Sequence, residues 1–444
     1  MLNEESNWEE DDDELMEEAV SRFEEMLENQ RTSYFDVEEF ELIIDYYFQN
    51  NDVKKSRQAV DLAIEQHPDD YLVNLKLAIQ YLIENQPEKA MEILESLDAD
   101  IDDPDYYLTL GSCYSGLNEY DKAIDAYKKA LEYLDPEDQD DMAHVASAFA
   151  ELILCYQSAK RMDDGIAYFN ERIENNPHES ESWSALADIY RRQNRLEEAI
   201  DHYEYALAID PTHLWANIQL ANCYYDLNRF QEAIDSLHEA VANHVETSII
   251  HASLGDCYFQ LQRYIDAKEE YHKALDLNEY LTEAWSGLGY IHSDLGDSQK
   301  AIQYFQKAFD LEPFNDDHLY NLAAEYRKTN ELEKSLQCLL DIEKRQPADS
   351  DLYFFLGDLL ADMGRMDEAI CYLKIGLQRT HNHPSLLYLM AYLLLENEER
   401  QTALYYLEEA LTADPEGAKE FIEYNPEMLT EDLEVMEMVE RVRS

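Results

Sequence analysis

Histidines, cysteines and closely spaced glycines are the residues from which a reactive site could be built in this chain. His238-Glu239 opens as a zinc-protease helix opens, where two imidazoles one turn apart hold the metal and the glutamate activates water. The next histidine is His244, six residues on rather than four, and ligands at that spacing do not share a helix face. His381 and His383 could meet one ion, but no cysteine stands near them and no metal site is expected. Gly287-x-Gly289 is the one close glycine pair, and it lies inside a stretch of helical apolar spacing rather than in a phosphate-cradling loop. Cys113, Cys155, Cys223 and Cys257 each stand directly before a tyrosine, as small packing groups in a recurring slot would. Acidic residues number 98, too many for any carboxylate pair to stand out as an acid and base. No catalytic residue and no cofactor is expected, so the chain reads as a non-enzyme.

The elements that would carry these residues recur. Ala199, Ala233, Ala267 and Ala301 follow one another at 34-residue steps; Ser335, Ala369 and Ala403 continue the series and Gly165 precedes it. Eight units follow in register, 146–179, 180–213, 214–247, 248–281, 282–315, 316–349, 350–383 and 384–417. Two more fit at 37–70 and 71–104, around Ser56 and Ala90, and one around Ala123 covers 104–137. Within 282–315, Trp285, Leu288, Gly289 and His292, then Ala301, Phe305 and Ala308, recur at three- and four-residue steps on either side of Gly296-Asp297. That spacing predicts two amphipathic helices joined by a turn. Pro313 then stops the second helix.

These slots resemble the tetratricopeptide repeat, and the resemblance covers 37–417. It implies an all-α, right-handed superhelical solenoid in which first helices line a concave face. The expected organisation is an acidic segment with a capping helix at 1–36 and three less regular repeats at 37–137. Eight tandem repeats after a short insertion occupy 138–417, and capping helices close the array at 418–444. The amphipathic face of the first cap comprises Leu15, Ala19, Phe23, Met26 and Leu27; residues Met1–Asp11 are expected to be disordered. The closing helices are expected at Ala418–Tyr424 and Glu427–Arg443.

The resemblance also assigns the groove. Arg191, Arg192, Trp215, Asn222, Tyr225, Asp256, Phe259, Tyr290, Tyr320, Asn321, Phe354, Asp358, Tyr388 and Tyr392 are the expected partner-binding residues; Ile218 shares the groove slots, Asp188 precedes them, and Arg327 and Lys328 interrupt them. Exposed rings there suit recognition of an extended or helical peptide. Repeats that grip the C-terminal carboxylate of heat-shock chaperones use lysines and asparagines at fixed slots. Here the fifth slot holds no lysine and the ninth supplies only Asn222, so that clamp is not expected.

Charge narrows the partners. Lys and Arg total 34, giving a formal net charge of −64, which excludes phosphate-backbone and anionic-membrane binding as expectations. A protein or peptide of basic or amide-rich character is the expected partner, held by a scaffold or adaptor. A self-associating structural solenoid, or an accessory subunit of a larger assembly, is the alternative, although like-charged arrays repel. Recognition, solubility and salt adaptation all remain open as reasons for the acidity. No run of about twenty apolar residues and no basic, apolar leader is present, and the six cysteines show no paired spacing. A reducing, cytoplasmic setting is expected.

Overall fold

The computed structural model describes residues 5–29, 33–97, 102–136, 138–345, 349–424, 426 and 432–443, and among them there is no strand. In chain order the helices are α1 (Glu5–Asn29), α2 (Val37–Gln49), α3 (Val53–Gln66), α4 (Tyr71–Ile83), α5 (Pro87–Ser96), α6 (Pro104–Gly116), α7 (Tyr120–Ala130), α8 (Gln139–Ser158), α9 (Met162–Asn175), α10 (Ser180–Arg192), α11 (Leu196–Ile209), α12 (Leu214–Asp226), α13 (Phe230–Ala242), α14 (Ser248–Gln260), α15 (Tyr264–Leu277), α16 (Thr282–Asp294), α17 (Ser298–Leu311), α18 (Asp316–Lys328), α19 (Leu332–Arg345), α20 (Ser350–Asp362), α21 (Met366–Arg379), α22 (Pro384–Glu396), α23 (Arg400–Ala413), α24 (Ala418–Tyr424) and α25 (Leu433–Arg443). From α2 to α23 they pair off, an even-numbered first helix followed by an odd-numbered second helix. The fold is an all-α repeat solenoid.

Local chemistry explains the punctuation. Asp36 caps α2 by accepting from the Glu39 amide while Glu39 reaches back to the Asp36 amide, a reciprocal capping box. Between the helices of a pair the chain turns through one left-handed residue. In the regular repeats this is Lys160, Asn194, Asn228, Gln262, Gly296, Asn330, Gly364 or Glu398, always the same slot. Asparagine and glycine prevail there because they adopt positive φ at least cost. The aligned small residues are the crossing points: Ala199, Ala233, Ala267, Ala301, Ala369 and Ala403 are fully buried. Glycines in the first helices admit aromatic rings from the second. A Cβ on Gly289 would lie 2.6 Å from Phe305, and one on Gly255 2.6 Å from Tyr271.

Packing divides the chain into two compact halves, Met1–Leu227 and Asn228–Ser444. In the first, Ala19, Val20, Phe23 and Met26 of α1 are buried in a cluster with Phe35, Phe40, Ile43 and Tyr47. Leu15, expected on that face, is exposed. The helix also begins at Glu5, so residues 5–11 of the stretch expected to be disordered are helical, while Met1–Glu4 lie outside the described residues. Acidic side chains favour a helix N-terminus, and a helical backbone satisfies its own hydrogen bonds without burial. In the second half, Phe421 of α24 and Val435 and Val439 of α25 are buried in the cluster that contains α22 and α23. Residues 427–431, expected to start the last helix, lie outside the described residues.

Candidate functional site on the first helices

In the Met1–Leu227 half the site is built around Asp188 of α10. Its carboxylate accepts from the Tyr203 hydroxyl of α11 and, at 2.9 Å, from the Trp215 indole of α12. Arg191 Nε lies 3.8 Å from it, an electrostatic contact rather than a hydrogen bond. Trp215 keeps 49% of its surface exposed. Burial, together with Asp188, pushes the Tyr203 phenol far above its ordinary range, so it stays a donor. Arg192 donates to Gln157 of α8 at 2.8 Å. Asn222 and Tyr225 are half-buried, and Ile218 is buried.

In the Asn228–Ser444 half, Asp256 of α14 accepts from the Tyr271 hydroxyl of α15 at 2.6 Å. Rings then pass from first helix to first helix. Phe259 and Tyr290 lie 6.4 Å apart, Tyr290 packs edge-on against Phe305 at 5.2 Å, and Asn321 donates to the Tyr290 hydroxyl at 2.8 Å. Tyr320 packs edge-on against Phe355 at 5.8 Å and donates to Asp349. The basic residues of this face are neutralised: Arg327 is paired with Asp358 at 2.7 Å and with Asp362, and Lys328 with Glu325 at 2.6 Å. A cavity of about 530 Å³ opens between α18 and α20, lined chiefly by Tyr320, Ala323, Leu339, Phe355 and Leu359, with Arg327 and Lys328 also on its wall. A smaller one of about 280 Å³ adjoins it, with Asn321 lining both.

One expected residue departs from the sequence reading. Tyr388 is not an exposed ring. It is buried against Phe421 at 5.5 Å with its hydroxyl donating to the Asp414 carbonyl, because the closing helix α24 covers the last repeat. Phe354 and Tyr392 are half-buried and pack against the same cluster. Other residues of the face were missed: Phe355, 43% exposed, and Tyr203 and Tyr271, whose hydroxyls reach Asp188 and Asp256. A signal for the tyrosines was present. Within the eight units in register, 146–417, tyrosine replaces phenylalanine or leucine in the core slot of the second helix where the ninth slot of the first holds aspartate. Asp358, opposite Leu373, is the exception, and Arg327 takes it instead.

Burial raises the Asp256 carboxyl to about 6, against the lowering influence of the Tyr271 hydroxyl. A carboxyl raised on folding binds more protons folded than unfolded between about pH 4 and 6, so its effect on stability is lost as pH rises through that window, by ~2 kcal/mol. Asp256→Asn keeps an acceptor for Tyr271 and removes the titration. The variant is expected to match the parent at pH 4 and to exceed it by ~2 kcal/mol at pH 7.5 in chemical denaturation of the second half. A variant less stable at pH 7.5 would contradict this.

The chemistry elsewhere is quiet. Cys113, Cys223 and Cys257 are buried, and burial pushes each thiol up to about 12, away from reactivity. His381 and His383 are exposed. Among the described residues no group of three or more histidine, cysteine or acidic side chains could hold a metal ion, and no helix is long and apolar enough to cross a membrane.

The chain resembles known proteins along most of its length. A family model described as the C-terminal domain of cilia and flagella-associated protein 70 matches residues 140–374, more than half of the chain, and a tetratricopeptide-repeat model matches 104–134. A TPR repeat-containing protein of Methanocaldococcus jannaschii is 31% identical over 85 residues, which are 19% of this chain and 27% of that protein. Among solved structures, the APC/C hetero-tetramer Cut9-Hcn1 is similar at 16% identity and a TM-score of 0.45, covering 80% of this chain and 76% of that one. YrrB, described as a TPR protein with an unusual peptide-binding site, is 26% identical with a TM-score of 0.33, covering 40% of this chain and 92% of its own. With its helix pairs, aligned crossing residues and a family model spanning more than half its length, the chain belongs to the tetratricopeptide-repeat proteins, in the family of the C-terminal domain of cilia and flagella-associated protein 70.

Proposed function

We propose that the first-helix face holds a segment of another protein, cationic or amide-rich in character, and that the chain acts as a non-enzymatic scaffold or adaptor. The observation that carries this reading is the cavity of about 530 Å³ beside the exposed Phe355, apolar on most of its wall with Arg327 and Lys328 also lining it. A concave apolar pocket with a few polar groups at its edge is the usual form of a binding site, and an exposed ring beside it is a natural anchor. The net charge of −64 favours a cationic partner by long-range attraction.

Cross-linking and pull-down from the native cell at low and high salt tests the proposal. A partner protein is expected at low salt and is expected to be largely lost at ~1 M salt, where the reach of charge contracts to ~3 Å. Phe355→Ala is expected to reduce recovery at both salt concentrations. Absence of any enriched protein under either condition sinks the reading.

A further inference from the structure

The smaller cavity differs in chemistry from its neighbour. Asp256, Glu283, Glu312 and Asp317 all line its wall. Beside the larger cavity three carboxylates have cations: Asp358 and Asp362 have Arg327, and Glu325 has Lys328. Among the described residues these four are paired with no lysine or arginine. Glu312 is held in place by Thr282 at 2.8 Å, Asn315 at 3.1 Å and His318 Nε2 at 3.4 Å, and the Asn315 and Thr282 bonds keep its carboxyl below the usual range.

Two further residues of the wall point to an absent binding partner. Ser286 is 8% exposed and His318 5% exposed, yet the Ser286 hydroxyl and His318 Nδ1 are buried with no hydrogen-bond partner. Buried polar atoms without partners are rare and costly. In the tautomer that places the His318 proton on Nε2, towards Glu312, Nδ1 is an acceptor, and a serine oxygen also accepts. Two unfilled acceptors among four carboxylates without lysine or arginine partners fit a group that brings several N–H donors and a positive charge.

We propose that this cavity receives the charged head of a lysine or arginine side chain from the partner segment, next to the apolar side chain seated in the larger cavity. The inference rests on the protein-binding reading above. Because Asn321 lines both cavities, the two partner residues are close neighbours along the segment. An ammonium supplies three N–H groups and a guanidinium five, enough for the free acceptors and the carboxylates together. The volume of about 280 Å³ admits one such head and excludes a folded element.

The test presents a displayed library of random eight-residue segments to the full chain, to Glu283→Gln and to Glu312→Gln. Glu283 is exposed and accepts only a long contact, 3.3 Å, from the Thr282 hydroxyl, and glutamine keeps an oxygen there, so its variant leaves the Glu312 bonds in place; circular dichroism checks that both variants are folded. The parent is expected to select segments with lysine or arginine beside an apolar residue, and the ratio of the two cations identifies which head is preferred. Each variant is expected to keep the apolar preference and lose about tenfold in enrichment at the basic position. A parent pool without a basic position, or variants that keep it unchanged, overturns the inference and leaves the protein-binding reading standing. A library that yields no binder overturns that reading, and the inference with it.

Discussion

Arg172→Ala is expected to destabilise the Met1–Leu227 half by ~3–5 kcal/mol, the cost of leaving a buried carboxylate without its cation. Arg172 of α9 grips Glu179 through two parallel bonds, 2.8 Å from Nε and 2.7 Å from Nη2, and the Glu179 side chain is 1% exposed. Ser182 donates to the same carboxylate, and the guanidinium lies over the Phe149 ring at 5.1 Å. Glu179 is the residue at which the chain enters α10, so the fork ties one repeat to the next. Repeat arrays need not unfold in one step, and native-state hydrogen exchange of α9 and α10 is the suitable measurement. Replacing both partners, Arg172→Met with Glu179→Leu, is expected to recover most of the loss because no charge is then stranded. A single variant within 1 kcal/mol of the parent would falsify the account.

Gly287→Ala is the second large effect, expected at ~3 kcal/mol in the Asn228–Ser444 half. One added methyl would stand 2.2 Å from Cζ and 2.6 Å from the hydroxyl of Tyr271. That ring is 1% exposed and its hydroxyl is held by Asp256, so it cannot move without breaking the bond. Gly287 and Asp256 both line the acidic cavity, and the variant is therefore expected to weaken any basic-segment binding as well. Gly296→Ala is the contrast. A Cβ there meets nothing within 4 Å, and only the φ of +75° is unfavourable, for ~1 kcal/mol. Equal losses at the two positions in thermal melts would show that crowding at Tyr271 is not the cause.

The solenoid was legible because its information is local and repeated. Ala199 and its counterparts mark a crossing point that sterics forbid to larger residues, and the series runs from Gly165 to Ala403 without a gap. The face was legible in part. Trp215 and Tyr290 are open rings, as slot position predicts, but Tyr388 is covered by α24, a contact outside the repeat pattern. Which acids neutralise Arg327 depends on the offset between successive first helices, which the slots do not carry. Ser286 and His318 carried no signal, since a serine and a histidine look alike in sequence whether or not their polar atoms find partners.

Within each half, every well-packed pair of helices lies one or two places apart in chain order. At a synthesis rate of ~5–20 residues per second, a new hairpin leaves the ribosome every ~2–7 s and meets a surface that the preceding hairpin has already finished. Folding can thus keep pace with synthesis until the last repeat. There Tyr388 and its part of α22 wait for Phe421 of α24, and α23 waits for α25. A chain halted before Ala418 would leave Tyr388 and the neighbouring apolar side chains without that cover, the kind of surface by which chaperones and proteases sort unfinished proteins from finished ones.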